Sequence, residues 1–155
     1  MAEKMFKIKE NQKIWDEYFN RLLDEWKLEN EERLLTLEYT EEEKEFYSKK
    51  TFGVISPKNI TPYKYELKRR RISIQQYKPI ILEFEGFIGK SFNEITSKDI
   101  ENFKKYTKKQ NKLNHLNAFL IDGIKTGTIK NKDKDFLISL IPEFYKEIGR
   151  LIAGE

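Results

Sequence analysis

Two runs of basic residues are the side chains of this sequence best suited to binding chemistry. They consist of Lys68, Arg69, Arg70 and Arg71, and of Lys104, Lys105, Lys108, Lys109 and Lys112. Residues 63–112 hold 13 Lys and Arg against 6 Asp and Glu, whereas residues 1–62 hold 11 against 14. A single lysine run is also what a solvated helix face carries. Two runs and the asymmetry between the two parts of the chain together favour a polyanionic partner.

Residues able to carry catalysis or to hold a metal are few. The chain has no Cys, which excludes a thiolate metal site and a cysteine nucleophile, and it has one His, His115. His115 stands in the helical pattern LNHLNAF, where a lone imidazole is typical of packing or of the surface. The consecutive acids of residues 41–43 point in different directions on a helix and do not converge on an ion. We therefore expect no catalytic residue, no metal and no cofactor.

Aromatic residues concentrate in the acidic N-terminal part of the chain. The apolar residues recur at steps of three and four, which predicts an amphipathic helix: Ile14, Trp15, Tyr18, Phe19, Leu22, Leu23 and Trp26. Such a stripe packs in a core more often than it binds a cofactor. Aromatic side chains also anchor protein interfaces, so a partner protein is expected to contact Trp15, Tyr18, Phe19 and Trp26.

Helix caps mark most of the elements that must position these residues. Cap patterns occur at Thr40 with Glu43, at Thr61 with Pro62, at Thr96 with Asp99 and at Gly127. The polar residues 29–33 are expected to interrupt the first helix, and Pro79 to start or bend a later one. With only 7 Gly and 4 Pro, the composition favours helices over a turn-rich β-sandwich. The predicted fold class is all-α.

Residues 51–62, TFGVISPKNITP, contain the clearest interruption of the helical patterns in the chain. A Gly, two Pro and several β-branched residues indicate a connector, and the sign of the charge changes beside it. We therefore divide the chain into an acidic, aromatic-rich helical segment with its connector, residues 1–62, and a basic helical domain, residues 63–155. The end of that domain is expected to form two short helices hinged at Pro142, or one kinked helix.

Residues 65–129 resemble the core-binding domain of tyrosine recombinases, which is the SAM-like N-terminal domain of phage integrases. The matching positions are Ser73 and Tyr77, the link Gly89-Lys90, the segment 95–100 (ITSKDI) and the segment 127–129 (GTI). The helix patterns predict an N-terminal amphipathic helical segment followed by a bundle of four to five helices. The resemblance implies that this bundle is SAM-like, and that it contains a four-helix module that clamps one side of a DNA duplex. The residues it would bring to DNA are Lys68, Arg69, Arg70, Arg71, Gln75, Gln76, Lys104, Lys105, Lys108, Lys109, Lys112 and Asn114.

The departure from that family concerns catalysis. An integrase continues into a catalytic domain with two arginines, a Lys, His residues and a nucleophilic Tyr, whereas 26 residues follow Ile129 here. The sequence contains no His-x-x-Arg, since Ala118 stands three residues after His115. We therefore expect that this chain does not cut or rejoin DNA, and that it is not an enzyme.

Two functions remain open at this point. The first is a non-catalytic module of phage or mobile-element origin that binds double-stranded DNA as an accessory or regulatory factor in the bacterial cytoplasm. The alternative is a phage-encoded inhibitor whose N-terminal helix binds a host nucleic-acid-handling complex. A recombinase fragment is a third possibility. No apolar run reaches the roughly 18 residues of a membrane helix, so no membrane contact is expected. The sequence leaves the oligomeric state open.

Overall fold

Helices account for all regular structure in residues 5–130, the part of the chain that the computed structural model describes. The six α-helices are α1 (Lys9–Leu35), α2 (Glu41–Lys50), α3 (Pro62–Gln75), α4 (Lys78–Ile88), α5 (Ser97–Tyr106) and α6 (Leu113–Thr126). Short 3₁₀ turns at Phe92–Glu94 and Gln110–Lys112 precede α5 and α6. The predicted all-α class is confirmed for these residues. The helices expected around Pro142 lie outside the described residues.

The predicted helix caps form as hydrogen-bonded motifs. The Thr40 hydroxyl accepts from the Glu43 amide at 3.2 Å, and the Glu43 carboxylate accepts from the Thr40 amide at 3.0 Å. Thr96 and Asp99 make the same reciprocal pair at 3.2 and 2.9 Å. Thr61 caps α3 ahead of Pro62. Each of these caps stabilises its helix by about 1 kcal/mol because it satisfies amides that have no partner within the helix.

Helix α1 does not end at the polar residues 29–33, so the interruption expected there is wrong. The helix continues to Leu35, and the Asn30 side chain donates to the Trp26 carbonyl at 2.9 Å within it. Glu, Arg and Leu have high intrinsic helix propensity. A polar stretch made of such residues lacks an apolar face but continues a helix that is already formed.

Two compact units divide the described chain. The first consists of residues 5–18 and 77–130, and the second of residues 19–76. One boundary falls inside α1, between Tyr18 and Phe19, and the other falls between α3 and α4. This division differs from the one inferred at residue 62, because the first turns of α1 pack against α4 and α6.

The core of the first unit is a cluster of aromatic rings. Phe84, Phe92, Phe103 and Phe119 are fully buried. The Phe119 ring lies edge-on to Phe92 at 5.5 Å and to Tyr18 at 5.1 Å, and the Trp15 ring lies 6.1 Å from it. Edge-to-face contacts of this kind are favourable beyond the area that they bury. Trp15 and Tyr18 are therefore part of this core.

The second unit is built around a row of tyrosines. The Tyr39 and Tyr47 rings stack at 4.6 Å, and Tyr47 lies 4.7 Å from Tyr65. Desolvation raises the pKa of Tyr39 to about 12, and the neighbouring Tyr47 and Glu66 add to this effect. The hydroxyl of Ser48, near the end of α2, donates to the carbonyl of Ile55 in the following loop at 2.7 Å. No helix among the described residues has the length and apolar character needed to cross a membrane.

Candidate nucleic-acid interface

Basic residues dominate the second half of the second unit. Residues 46–76 carry eight Lys and Arg and a single acid, Glu66, whereas residues 19–45 carry four Lys and Arg against ten acids. Within this unit the sign of the charge therefore changes after Glu45, earlier than the connector suggested. The loop after α2 belongs with α3 to one basic stretch.

The end of α2 and one face of α3 form a groove of about 420 Å³, which we call the α2–α3 groove. It is lined by Lys50, Thr51, Tyr65, Lys68, Arg69, Ile72, Ser73 and Gln76. Three of the eight residues are cationic and none is acidic, while Ser73 and Gln76 offer neutral hydrogen-bonding groups. Cations together with neutral donors are the groups that proteins present to the phosphates of nucleic acids.

Arg69 is the groove residue with the best geometry for a phosphate. Its guanidinium lies 3.8 Å from the Glu66 carboxylate, and both side chains are exposed. It also lies 5.7 Å from the centre of the Tyr65 ring. An exposed pair of this kind contributes about 0–1 kcal/mol, so a phosphate can replace Glu66 at little cost. The planar fork of Arg can then bind two phosphate oxygens at once.

The remaining predicted contacts of α3 differ in exposure. Arg71, Gln75 and Gln76 are exposed, while Lys68 is half-buried and still lines the groove. Arg70 is half-buried, and its Nε is shielded from solvent without an acceptor among the described residues. Arg70 is therefore the least suitable of these residues for contact with a ligand.

The second basic run surrounds the turn between α5 and α6. Lys105, Lys108, Lys109, Lys112 and Asn114 are exposed there, and we call them the α5–α6 patch. Lys104 is half-buried, and desolvation lowers the pKa of its ammonium group. The Lys109 ammonium lies 3.7 Å from the Glu83 carboxylate. Lys105, Lys108 and Lys112 therefore carry the most available positive charge of this run.

Gln110 and the lysines at the end of α5 also have a role in folding. The Gln110 side chain donates to the carbonyls of Lys104 and Thr107, both at 2.7 Å, and so satisfies the C-terminal end of α5. Lysines near the end of a helix interact favourably with its dipole. Lys104 and Lys105, in the last turn of α5, therefore stabilise this helix whether or not a ligand binds.

His115 packs rather than adding charge to this patch. Its ring stacks on Tyr77 with the centroids 4.6 Å apart. Burial and the nearby Lys112 lower the pKa of His115 below its usual 6.5, so the imidazole is neutral at pH 7. Within residues 5–130, no three His, Asp or Glu side chains are arranged to hold a metal ion.

The two basic runs belong to different compact units. Residues 65–76 of the segment that resembles a recombinase domain lie in the second unit, and residues 77–129 lie in the first. The α2–α3 groove therefore belongs to the second unit and the α5–α6 patch to the first.

Two of the four residues expected to contact a partner protein are buried, and their assignment as anchors is wrong. Trp15 is 2% exposed and Tyr18 is 5% exposed. Both pack against Phe119, so neither side chain can reach a partner. Phe19 and Trp26 are half-buried, and the Trp26 ring lies 6.1 Å from Tyr63.

Sequence reasoning missed the apolar residues that do face solvent. Leu28, Leu35, Phe46, Phe52 and Val54 are all exposed. Their positions in the sequence could have indicated this exposure. Leu28 and Leu35 flank the polar stretch of α1, and Phe52 precedes a Gly directly after the end of α2.

No family model, curated protein or solved structure matches this chain. The resemblance to recombinase core-binding domains remains a prediction that depends on the pattern of residues alone.

Proposed function

We propose that this protein is a non-catalytic DNA-binding module, with the α2–α3 groove as its main contact surface. One observation carries the proposal: Lys50, Lys68 and Arg69 line a groove that no acid lines, within a stretch of eight basic residues and one acid. The recombinase-like pattern of residues 65–129 also supports DNA as the partner. The proposed role is that of an accessory or regulatory factor.

Binding through this groove would depend mainly on phosphates. Lys50, Lys68 and Arg69 would replace counterions along the backbone, so the affinity would fall steeply as salt rises. Phosphate contacts orient a protein on DNA without reading its sequence. Gln76 and the Arg69 fork are the groove groups able to reach base edges. We therefore expect a modest sequence preference beside a large electrostatic contribution.

The α5–α6 patch is a second, weaker surface in this proposal. Lys105, Lys108 and Lys112 are exposed around the turn between α5 and α6, and as lysines they offer flexible point charges rather than the planar fork of Arg69. Contacts with phosphates there would be less constrained than in the α2–α3 groove. Removing these three charges should weaken binding less than removing Lys68 and Arg69.

The test is the affinity of the full chain for a short fluorescent duplex at a fixed salt concentration, measured by anisotropy. The groove variant combines Lys68→Ala and Arg69→Ala. The control combines Arg33→Ala and Lys44→Ala, which remove one Arg and one Lys from the acidic half of the same unit. Net charge is then equal in the two variants, and only the location of the lost charges differs.

The groove variant should bind about tenfold or more weakly, and the control should stay within a factor of about two of the unmodified protein. If the unmodified protein does not bind DNA, the proposal is wrong. If both variants lose affinity equally, net charge rather than the groove determines binding.

A second candidate function, an inhibitor that binds a nucleic-acid-handling protein complex, is favoured by the exposed face of α1. Leu28 is 87% exposed and Leu35 is 62% exposed, and their spacing of seven residues puts them on one side of the helix. Exposed acids surround them, namely Asp24, Glu25, Glu29, Glu31 and Glu32. An apolar stripe flanked by acids would suit the basic channel in which such a complex holds its nucleic acid.

The second candidate makes a different prediction from the first. Replacing Leu28 and Leu35 by Ser should abolish co-purification with a host nuclease or similar complex and leave the affinity for DNA unchanged. If co-purification survives these replacements, or is lost only in the Lys68→Ala and Arg69→Ala variant, the α1 face is not the contact surface.

A further inference from the structure

Phe52 is the most exposed large apolar side chain of the second unit. It is 95% exposed, and its backbone has a positive φ of 55°. It follows directly after Thr51, which caps the end of α2. An exposed aromatic residue in a left-handed conformation is uncommon, since residues with a side chain are disfavoured there.

The conformation belongs to a helix-ending motif that normally uses glycine. The Phe52 amide donates to the Lys49 carbonyl at 3.0 Å, and the Gly53 amide donates to the Ser48 carbonyl at 3.3 Å. These two bonds define a Schellman motif, whose left-handed position is most often Gly. Here Phe52 occupies that position. The ring adds backbone strain and buries almost no surface, so the fold gains nothing from it.

The surroundings of Phe52 combine apolar surface with positive charge. A second groove, of about 520 Å³, is lined by Glu45, Ser48, Lys49, Phe52, Gly53 and Pro57. The two residues just before Phe52, Lys50 and Thr51, line the α2–α3 groove. Phe52 therefore lies two residues along the chain from Lys50, one of the three cations assigned to phosphates. Lys49, Lys50 and Lys58 are exposed in the same part of the chain.

We propose that Phe52 stacks on an unpaired nucleobase while the α2–α3 groove holds a phosphate of the same strand. Proteins that bind single strands combine a basic groove with exposed aromatic rings, because every base offers a face on which a ring can stack. This inference rests on the proposed binding of nucleic acid and extends it from duplexes to strands with unpaired bases. It also gives a reason for the cost of Phe52 in the Schellman motif: the turn holds the ring in solvent, two residues from Lys50.

The test compares the full chain with its Phe52→Gly variant on two fluorescent probes. The first probe is an oligothymidine, and the second has the same backbone with abasic sites in place of the bases. The variant should bind the oligothymidine about tenfold or more weakly and the abasic strand unchanged. Phe52→Trp should retain the affinity for the oligothymidine, since it keeps an aromatic ring at the same position.

Misfolding cannot imitate this result. Glycine suits the left-handed position, so the melting temperature of Phe52→Gly should be equal to or above that of the unmodified protein. Val54→Ala is the matched control, because Val54 is 70% exposed two residues further along and carries no ring. It should leave both affinities unchanged.

The outcomes separate the stacking proposal from the function on which it rests. If Phe52→Gly keeps its affinity while the Lys68→Ala and Arg69→Ala variant loses it, the stacking role is wrong and nucleic-acid binding stands. Equal losses from Phe52→Gly and Val54→Ala would indicate a general apolar contact and would also overturn stacking. If the unmodified protein binds neither probe and no duplex, both proposals fail, and a protein partner becomes the explanation for the exposed ring.

Discussion

The side-chain amide of Asn11 donates a 3.0 Å hydrogen bond to the carboxylate of Glu85, 74 residues away in the sequence. The same carboxylate accepts from the backbone amides of Lys7 and Ile8 at 2.8 and 3.2 Å. Asn11 also accepts from the Phe92 amide at 2.8 Å. Asn11 and Glu85 are both buried. This network joins the start of α1 to α4 and makes the N-terminal residues part of the first unit.

Replacing Glu85 by Ala should therefore destabilise the first unit by about 3 kcal/mol. The backbone amides of Lys7 and Ile8 would lose their acceptor at a partly buried site, and the Asn11 amide would keep only its 3.2 Å bond to the Lys90 carbonyl. Each unsatisfied group costs about 1–3 kcal/mol, with partial recovery by water. Urea unfolding followed by the fluorescence of Trp15, in a Trp26→Phe background, measures this directly. Glu94→Ala is the control, because Glu94 is exposed and should change the free energy of unfolding by less than about 0.5 kcal/mol. Equal effects of the two replacements would contradict the role given to Glu85.

Gly123 should not tolerate a methyl group. A Cβ built at this position would lie 2.5 Å from the Ile129 Cδ1, and the Ile129 amide donates to the Gly123 carbonyl at 2.9 Å. Ile129 is buried, so we expect Gly123→Ala to destabilise the first unit by about 1–3 kcal/mol through overpacking. The measurement is again urea unfolding.

Gly86 provides the matched comparison for Gly123. It lies within α4, and a Cβ there meets no atom within 4 Å. Gly86→Ala should therefore stabilise the protein by about 0.5–1 kcal/mol, because alanine loses less entropy in a helix. Stabilisation by both replacements would show that the contact between Gly123 and Ile129 does not hold in solution.

Local features of this fold could be predicted from the sequence, and long-range ones could not. The caps at Thr40, Thr61 and Thr96 were predicted correctly because each depends on residues within one turn of the chain. The burial of Trp15 depends on Phe119, more than a hundred residues later. A hydrophobic stripe shows that one face of a helix is covered, but it does not show whether the core or a partner covers it.

The candidate site follows the same rule. Charge counts identified Arg69, Lys68 and the lysines of α5, because charges can be counted along a sequence without knowledge of its tertiary structure. The contribution of Lys50 and Thr51 to the α2–α3 groove depends on how α2 packs beside α3. The exposure of Phe52 depends on the Schellman motif, in which the sequence TFG has Phe where Gly is expected.

Phe52→Gly should stabilise the second unit by about 0.5–1 kcal/mol. The replacement removes the strain of a side chain in the left-handed region and gives up almost no buried surface. Denaturant unfolding followed by Trp26 fluorescence, in a Trp15→Phe background, checks the sign of the change. A loss of stability would mean that the ring contributes to the fold, and the reason for assigning it to a ligand would disappear.

Alkaline pH should destabilise the second unit through Tyr39. Desolvation, with Tyr47 and Glu66 nearby, raises the pKa of Tyr39 to about 12 from its usual 10.0. Between these two pH values the unfolded chain loses the phenolic proton before the folded chain does. The stability conferred by Tyr39 is thus complete below pH 10.0 and is lost as the pH rises towards about 12. Across this pH range, the urea concentration at the midpoint of unfolding should fall less steeply with pH for Tyr39→Phe than for the unmodified protein. Identical slopes would contradict the raised pKa of Tyr39.

The most direct test of nucleic-acid binding by the α2–α3 groove is the salt dependence of the affinity. Anisotropy titrations over a range of NaCl concentrations give the slope of log K against log salt for the unmodified protein and for the combined Lys68→Ala and Arg69→Ala variant. We expect a steep negative slope for the unmodified protein and a slope shallower by about two in the variant, since two phosphate contacts are lost. Binding that is absent, or a slope that is the same in both proteins, would contradict the proposed function of the groove.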